Sequence, residues 1–310
     1  MTEYLPEGSR LHTAENLAAI RSPEALSCAM QKGTILEARA VVCDSAHNLI
    51  VNLPCMQGII PREEGARGIR EGTTRDIALI ARAGKPVCFR VLRIERDSTG
   101  MPRAVLSRKA VQDECWEQYL SRRRPGDVIP VRITHMERFG CFVDAGCGIP
   151  SLIPIDAISV SRIAHPSDRF RIGQNIRAVV SGFEDGKLCL THKELLGTWE
   201  ENAALFSVGE TVAGMIRSVE SYGVFIELTP NLAGLAEPHE HLQTGQCASV
   251  YIKALIPEKM KVKLVIVDVF EPDTPPPPLH YFVQERHIDR WRYTPERAGK
   301  LIETVFHEDE

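Results

Sequence analysis

Short runs of β-branched and aromatic residues, separated by Gly, Pro and Asp, fill the chain between residues 31 and 270. Residues 128–133, 142–143, 176–180 and 187–190 are such runs, and this patterning predicts strands rather than helices. About five short strands in about 70 residues suit a small closed barrel, in which closure removes exposed strand edges. The pattern repeats. Gly126-Asp127-Val128 returns as Gly209-Glu210-Thr211-Val212, and Phe139-Gly140-Cys141-Phe142-Val143-Asp144 returns as Tyr222-Gly223-Val224-Phe225-Ile226-Glu227. Gly173-Gln174 returns as Gly245-Gln246, and Lys187-Leu188-Cys189-Leu190 as Lys261-Val262-Lys263-Leu264. A weaker copy opens at Gly33-Thr34-Ile35, passes through Asn48-Leu49-Ile50-Val51-Asn52 and closes at Arg103-Ala104-Val105-Leu106-Ser107-Arg108-Lys109. The expected fold is therefore all-β, with three tandem five-stranded barrels joined by short helical connectors. Gly140 and Gly223 interrupt strand patterns, which predicts a bulge or sharp bend at each.

Helical patterning is confined to the joints. Residues 13–21 read as a helix capped by Thr13, and 111–123 and 194–206 as amphipathic connectors with one Trp each, Trp116 and Trp199. Four prolines at 275–278 predict an extended, semi-rigid spacer. Thr294 followed by Pro295 predicts a last helix over 295–306, presenting Leu301, Ile302, Val305 and Phe306. The resulting division is 1–30, a helical extension; 31–110, a degenerate first barrel; 124–193, a second barrel; 205–270, a third; and 271–310, the spacer and final helix. The third copy is the shortest, and lacks most of the segment corresponding to 156–170.

Composition changes the picture in two places. The net charge of −4 disfavours nucleic acid only until it is mapped. Residues 31–110 carry 14 Lys and Arg against 8 Asp and Glu, and 121–195 carry 11 against 8, whereas 205–270 carry 5 against 7. Phosphate attraction depends on such local patches. Nine cysteines without a Cys-x-x-Cys pair predict structural thiols in a reducing cytosol, not a zinc site or a disulfide framework. With no basic start followed by an apolar core, and no apolar run near the ~20 residues a bilayer requires, the expected setting is cytoplasmic, without membrane contact.

The best-preserved copy runs from Gly126-Asp127-Val128-Ile129 through Arg138-Phe139-Gly140-Cys141-Phe142-Val143-Asp144. It continues with Arg162-Ile163-Ala164-His165-Pro166-Ser167-Asp168 and Gly173-Gln174-Asn175-Ile176, and closes at Gly186-Lys187-Leu188-Cys189-Leu190-Thr191-His192-Lys193. These landmarks resemble the RNA-binding motif of bacterial small-subunit ribosomal protein S-one, an oligonucleotide-binding barrel. The resemblance implies that bases stack on Phe139 and Phe142 while Lys187 meets a phosphate; Arg132 and His135, on the first strand, are candidates to extend that basic groove. It implies a second, weaker set at Tyr222, Phe225 and Lys261, with Lys263 beside it. Pro154 and Glu237 stand where the family often has His, and Phe183 where it has Asp, with Asp185 nearby. His47 and Ile50 replace the aromatics of the first copy, which reads as an electrostatic or protein-docking module.

His165 reads as part of a structural connection, with Ser167 or Asp168 capping a turn. Phosphate-loop, serine-elbow and zinc-peptidase motifs are absent from the sequence, and adjacent acids such as Glu63-Glu64, Glu200-Glu201 and Glu184-Asp185 read as solvated pairs. No catalytic residue, metal or cofactor is expected. The expectation is a monomeric, non-catalytic protein that binds single-stranded RNA, specifically mRNA in translation at the small ribosomal subunit. Two alternatives stay open: a regulatory RNA-binding accessory in transcription or RNA turnover, and a protein-interaction scaffold with degenerate RNA sites.

Overall fold

Polar caps shape the start of the chain. The Thr13 side chain accepts the Asn16 amide and opens α1 (Ala14–Ala19); Ser22, with Pro23 in the first turn, opens α2 (Pro23–Lys32). Gly33 ends α2 in a left-handed conformation, φ 61°. The computed structural model describes residues 4–97, 99–239, 241–271 and 279–307. The proline spacer at 275–278 lies outside them.

Three closed five-stranded barrels follow, all with one topology. The first comprises β1 (Leu36–Cys43), β2 (Leu49–Asn52), β3 (Gln57–Ile60), β4 (Pro86–Arg96) and β5 (Pro102–Ser107), with α3 (Ile77–Ile80) between β3 and β4. Helix α4 (Lys109–Gln118) leads to the second: β6 (Val128–Glu137), β7 (Gly140–Asp144), β8 (Pro150–Pro154), β9 (Asn175–Glu184) and β10 (Lys187–Thr191). Helix α5 (Trp199–Ala203) leads to the third: β11 (Thr211–Glu220), β12 (Gly223–Thr229), β13 (Leu232–Ala236), β14 (Cys247–Ile256) and β15 (Lys261–Phe270). In each, the first three strands form a meander, the fifth strand pairs parallel with the third, and the fourth lies between the fifth and first. Alternating strand residues fill the interiors, including Leu49, Phe89 and Leu106 in the first and Ile216, Ile226 and Val250 in the third. Each such side chain contributes about 1.5–3 kcal/mol by leaving water.

The two repeat glycines have a steric reason. A Cβ on Gly140 would lie 2.4 Å from the Ile153 carbonyl oxygen, and one on Gly223 2.6 Å from that of Ala236. The neighbouring strand approaches too closely for a side chain. The bulge beside Gly223's strand lies instead in β11, between Ile216 and Ser218.

The chain divides into two compact units. One contains Met1–Arg123, Pro130–Arg132 and Asp144–Pro150; the other Arg124–Ile129, Ile133–Val143 and Ser151–Glu310. Within the first, Pro6 and Glu7 are buried at a turn. The Glu7 carboxylate accepts from Arg108 at 2.6 and 3.0 Å, from Arg82 at 3.2 Å and from the Cys88 amide at 3.1 Å. Burial alone would raise this carboxyl, but the guanidinium of Arg108 holds it below its ordinary range. Asp144 accepts the amides of Glu7, Gly146 and Gly148 at 2.7–2.9 Å, yet burial and the Glu7 charge push its carboxyl up to about 6. Gly148, φ 76°, is required here, since its Cβ would sit 2.0 Å from an Arg108 nitrogen. Burial likewise raises Glu37 to about 7, although it accepts the amides of Gly8 and Arg10.

Within the second unit, the last residues depart from the helix expected over 295–306. They form a hairpin of β16 (Arg290–Arg292) and β17 (Glu303–Val305). Trp291 and Tyr293 alternate along the extended segment before residue 295 and join the third barrel's core cluster, and the pairing of Arg290–Arg292 with Glu303–Val305 takes residues the helix would have used. Thr294, read as a helix cap, instead accepts the Ile302 amide at 2.7 Å and holds the hairpin. Ile302 packs inward and Phe306 is buried, while Leu301 stays exposed. Upstream, the Tyr281 hydroxyl meets His192 Nε2 at 3.2 Å. His192 is fully buried, and burial lowers it to about 4, so it is neutral there.

Candidate nucleic-acid interface

The β6–β7 turn places the aromatics as the landmark spacing requires. Phe139 lies at the turn and is 56% exposed. Phe142 follows on β7, half-buried, pointing away from the core side occupied by Cys141 and Val143. Their rings meet edge to face at 5.9 Å. His135, exposed on β6, lies nearly parallel to Phe142 at 6.1 Å, while its Nε2 meets Glu137 at 2.6 Å. Exposed, parallel-faced rings of this kind are what an unpaired base stacks on. Lys187 is exposed at the start of β10, paired in register with Glu184. Leu152, between Phe142 and Cys189 in strand order, continues the outward row.

Arg132 is engaged elsewhere: its Nη1 donates to the Glu7 carbonyl at 2.8 Å, inside the first compact unit. The structure therefore assigns it to holding the N-terminal segment. Phe183, at the family's Asp position, presents a ring 38% exposed, and Asp185 occupies the β9–β10 turn at φ 49°.

The third barrel repeats the arrangement with less support. Tyr222 is 65% exposed and Phe225 half-buried, their rings edge to face at 6.1 Å. Phe225 pairs with exposed Leu235, which pairs with exposed Lys263; Lys261 begins the same strand. Glu237 is exposed close by. The first barrel lacks the platform. Ile50 is half-buried, and His47 adopts φ 63° with its Nδ1 3.4 Å from Asp76.

The His-Pro-Ser-Asp landmark is a built turn. The His165 ring accepts the Ser167 amide, and Asp168 accepts the amides of Ala164 and His165, closing a capping box over Pro166–Asp168. The turn leads into Arg169, whose guanidinium grips the Glu227 carboxylate on β12 with both terminal nitrogens, one contact at 2.7 Å. Arg217 takes the same carboxylate at 2.9 and 3.1 Å, and Asp168 lies 3.8 Å from Arg217. Arg169 and Glu227 are almost wholly buried, and desolvation lowers the Arg169 guanidinium. No short motif announces this network. A buried acid at the repeat position shared by Asp144 and Glu227 was its one sequence trace. The nine cysteines are free; burial raises Cys141 to about 12, so it is an inert thiol. Among the described residues, no three His, Cys, Asp or Glu side chains group as metal ligands would. No helix among them is long and apolar enough to cross a membrane.

Comparison with known proteins falls on the same stretch. The profile described as "S1 RNA binding domain" matches residues 122–190. The small ribosomal subunit protein bS1 homolog of Bacillus subtilis is 27% identical over 206 residues, covering 61% of this chain and 53% of that protein. Protein bS1 of Chlamydia muridarum is 27% identical over 202 residues, covering 60% and 35%. The chain thus spans about half the length, or less, of these relatives. A Streptococcus pneumoniae multidomain protein with nucleic acid binding domains aligns over 76% of this chain and 74% of its own, at 12% identity. Its TM-score is 0.25, too low to argue from.

Proposed function

We propose, from the premise that this chain belongs to the bacterial S1-like family, that it binds single-stranded RNA without catalysis. The observation that carries the proposal is the outward pair of exposed Phe139 and half-buried Phe142, with His135 nearly parallel to Phe142. Three rings on one barrel face offer stacking to any base, with Lys187 on the strand that closes the barrel. The third barrel supplies a weaker site at Tyr222, Phe225 and Lys261.

The finer reading is mRNA held during translation at the small ribosomal subunit, by a monomer in the cytoplasm. The bS1 relatives support it. Anisotropy titration with a single-stranded RNA should show binding that weakens steeply with salt, as phosphate contacts require. No binding to any single strand at low salt would refute RNA binding. In-cell crosslinking and sequencing of the bound RNA should return mRNA, with the small subunit co-purifying. Polymerase or nuclease in its place would favour a regulatory accessory. A scaffold reading draws on the first barrel, where His47 and Ile50 stand in place of the rings and β1 exposes the aliphatic Val41 and Val42.

A further inference from the structure

We propose that the β8–β9 connection of the second barrel is itself an RNA-binding element, which carries one strand between the two aromatic pairs. In this role Arg162 and Arg171 meet the phosphates in transit. The inference rests on the RNA-binding reading above and adds residues that the stacking sites do not include.

The connection touches both platforms. At its start, the Ile155 amide donates to the Phe139 carbonyl at 2.9 Å, so it leaves from the backbone of the first ring. At its end, Arg169 grips Glu227. Glu227 lies two residues beyond Phe225 on β12, where the intervening Ile226 and preceding Val224 face the core. Phe225 and Glu227 therefore share the outward face of that strand. One short segment thus runs from beside Phe139 to beside Phe225.

It is also pinned along its length. Val160 donates to the Asn231 side chain at 2.9 Å, Ser161 to the Pro230 carbonyl at 3.1 Å, and Arg169 Nε to Ser159 at 3.2 Å. Ser159, Ser161, Pro166 and Phe170 are buried, while Arg162, Ser167 and Arg171 are exposed. The inner side is therefore given to packing and the outer side carries two guanidinium groups, whose planar forks suit phosphate oxygens. The buried Arg169–Glu227–Arg217 group opposes a hinge here, since parting it would leave a charge buried and unpaired. Two stacking sites at fixed spacing give the second binding step a high effective concentration of RNA.

The test uses the full chain and two oligouridylates, one of about 6 and one of about 16 nucleotides, to bracket one barrel's site and two. The longer should bind at least ~10-fold more tightly. In R162E/R171E the short oligomer should bind within ~2-fold of wild type while the length advantage falls below ~3-fold, and the salt slope for the longer one drops by about 1.4. Both residues are exposed, so the variant keeps its core. Three results would overturn the proposal: no length advantage in the wild type, an advantage that survives in the variant, or equal weakening of both lengths. Failure of the wild type to bind either oligomer would overturn the RNA reading beneath it, which is a separate outcome.

Discussion

The second barrel and the first share a topology, a closure and a core pattern, and differ in what their outward faces hold. In the second, Phe139, Phe142 and His135 lie together on the surface. In the first, the matching positions are His47, bound to Asp76, and half-buried Ile50. Charge follows the same division. The first copy has the larger positive excess in sequence, yet many of its arginines are paired: Arg62 with Asp76, Arg93 and Arg103 with Glu95, Arg90 with Glu114, and Arg82 and Arg108 with Glu7. The exposed pairs among these add little stability. They do cancel the field a phosphate would feel. A repeat can thus keep its fold, which depends on inward residues, after its outward face has changed use.

The largest expected effect breaks this comparison at its stronger end. Replacing both Phe139 and Phe142 with Ala should weaken single-stranded RNA binding by about 2–6 kcal/mol, at roughly 1–3 kcal/mol per stacked base. Ile50→Ala in the first barrel should leave affinity within experimental error. Equal losses from the two changes, read by fluorescence anisotropy, would refute the division.

Next comes a change that should act on the first unit alone. Glu7→Gln removes the charge that Arg108 meets inside the protein, where both side chains are about 4% exposed or less. Leaving a guanidinium buried without its partner costs about 3–5 kcal/mol. Urea unfolding should record that loss while RNA affinity is kept; a loss under about 1 kcal/mol would mean the network is replaceable by water. A smaller effect is expected from Tyr222→Ala with Phe225→Ala, because exposed Glu237 and the net negative charge of residues 205–270 already disfavour phosphate there. About a tenfold loss, near 1.4 kcal/mol, is the expected size. A loss as large as that from the Phe139 and Phe142 pair would place the main site on the third barrel.

The barrels were legible, and so was the place of the aromatic pair beside Gly140, because glycines and aromatics are short-range signals. Gly140 is there for a neighbouring carbonyl, and Phe139 and Phe142 sit on either side of it. Helix α2 is equally legible through Ser22, Pro23 and Gly33. The C-terminal segment misled for a physical reason. Thr294-Pro295 is a sound local helix start, but Glu303–Val305 pairs with Arg290–Arg292 and Ile302 packs against the third barrel's core, so tertiary contacts override propensity. Sequence shows the charge of Arg132 but not the Glu7 carbonyl 2.8 Å from it, a pairing across 125 positions. The Arg169–Glu227–Arg217 group joins residues 58 and 10 positions apart, a pairing no local pattern encodes.

The two compact units should also part company on mild acidification, by the smallest of these effects. Glu37, held at about 7 by burial, binds its proton more tightly folded than unfolded, where an ordinary carboxyl titrates near 4.5. Between those values the folded state carries more protons, so the first unit gains stability as pH falls, and Asp144, raised to about 6, adds to the gain. Glu7 opposes this only below its ordinary range, since its carboxyl is lowered. His192 in the second unit has the reverse sign. Lowered to about 4 from 6.5, it is protonated first in the unfolded chain, so its stabilisation is complete above 6.5 and is lost as pH falls toward 4. From about pH 7 to about pH 5.5 each term amounts to roughly 1 kcal/mol, on the scale of 1.36 kcal/mol per pKa unit. Hydrogen-exchange protection, followed separately for peptides of β1–β5 and of β9–β15, should rise in the first set and fall in the second. If both sets lose protection together, the buried carboxyls of the first unit do not hold their protons in the folded state.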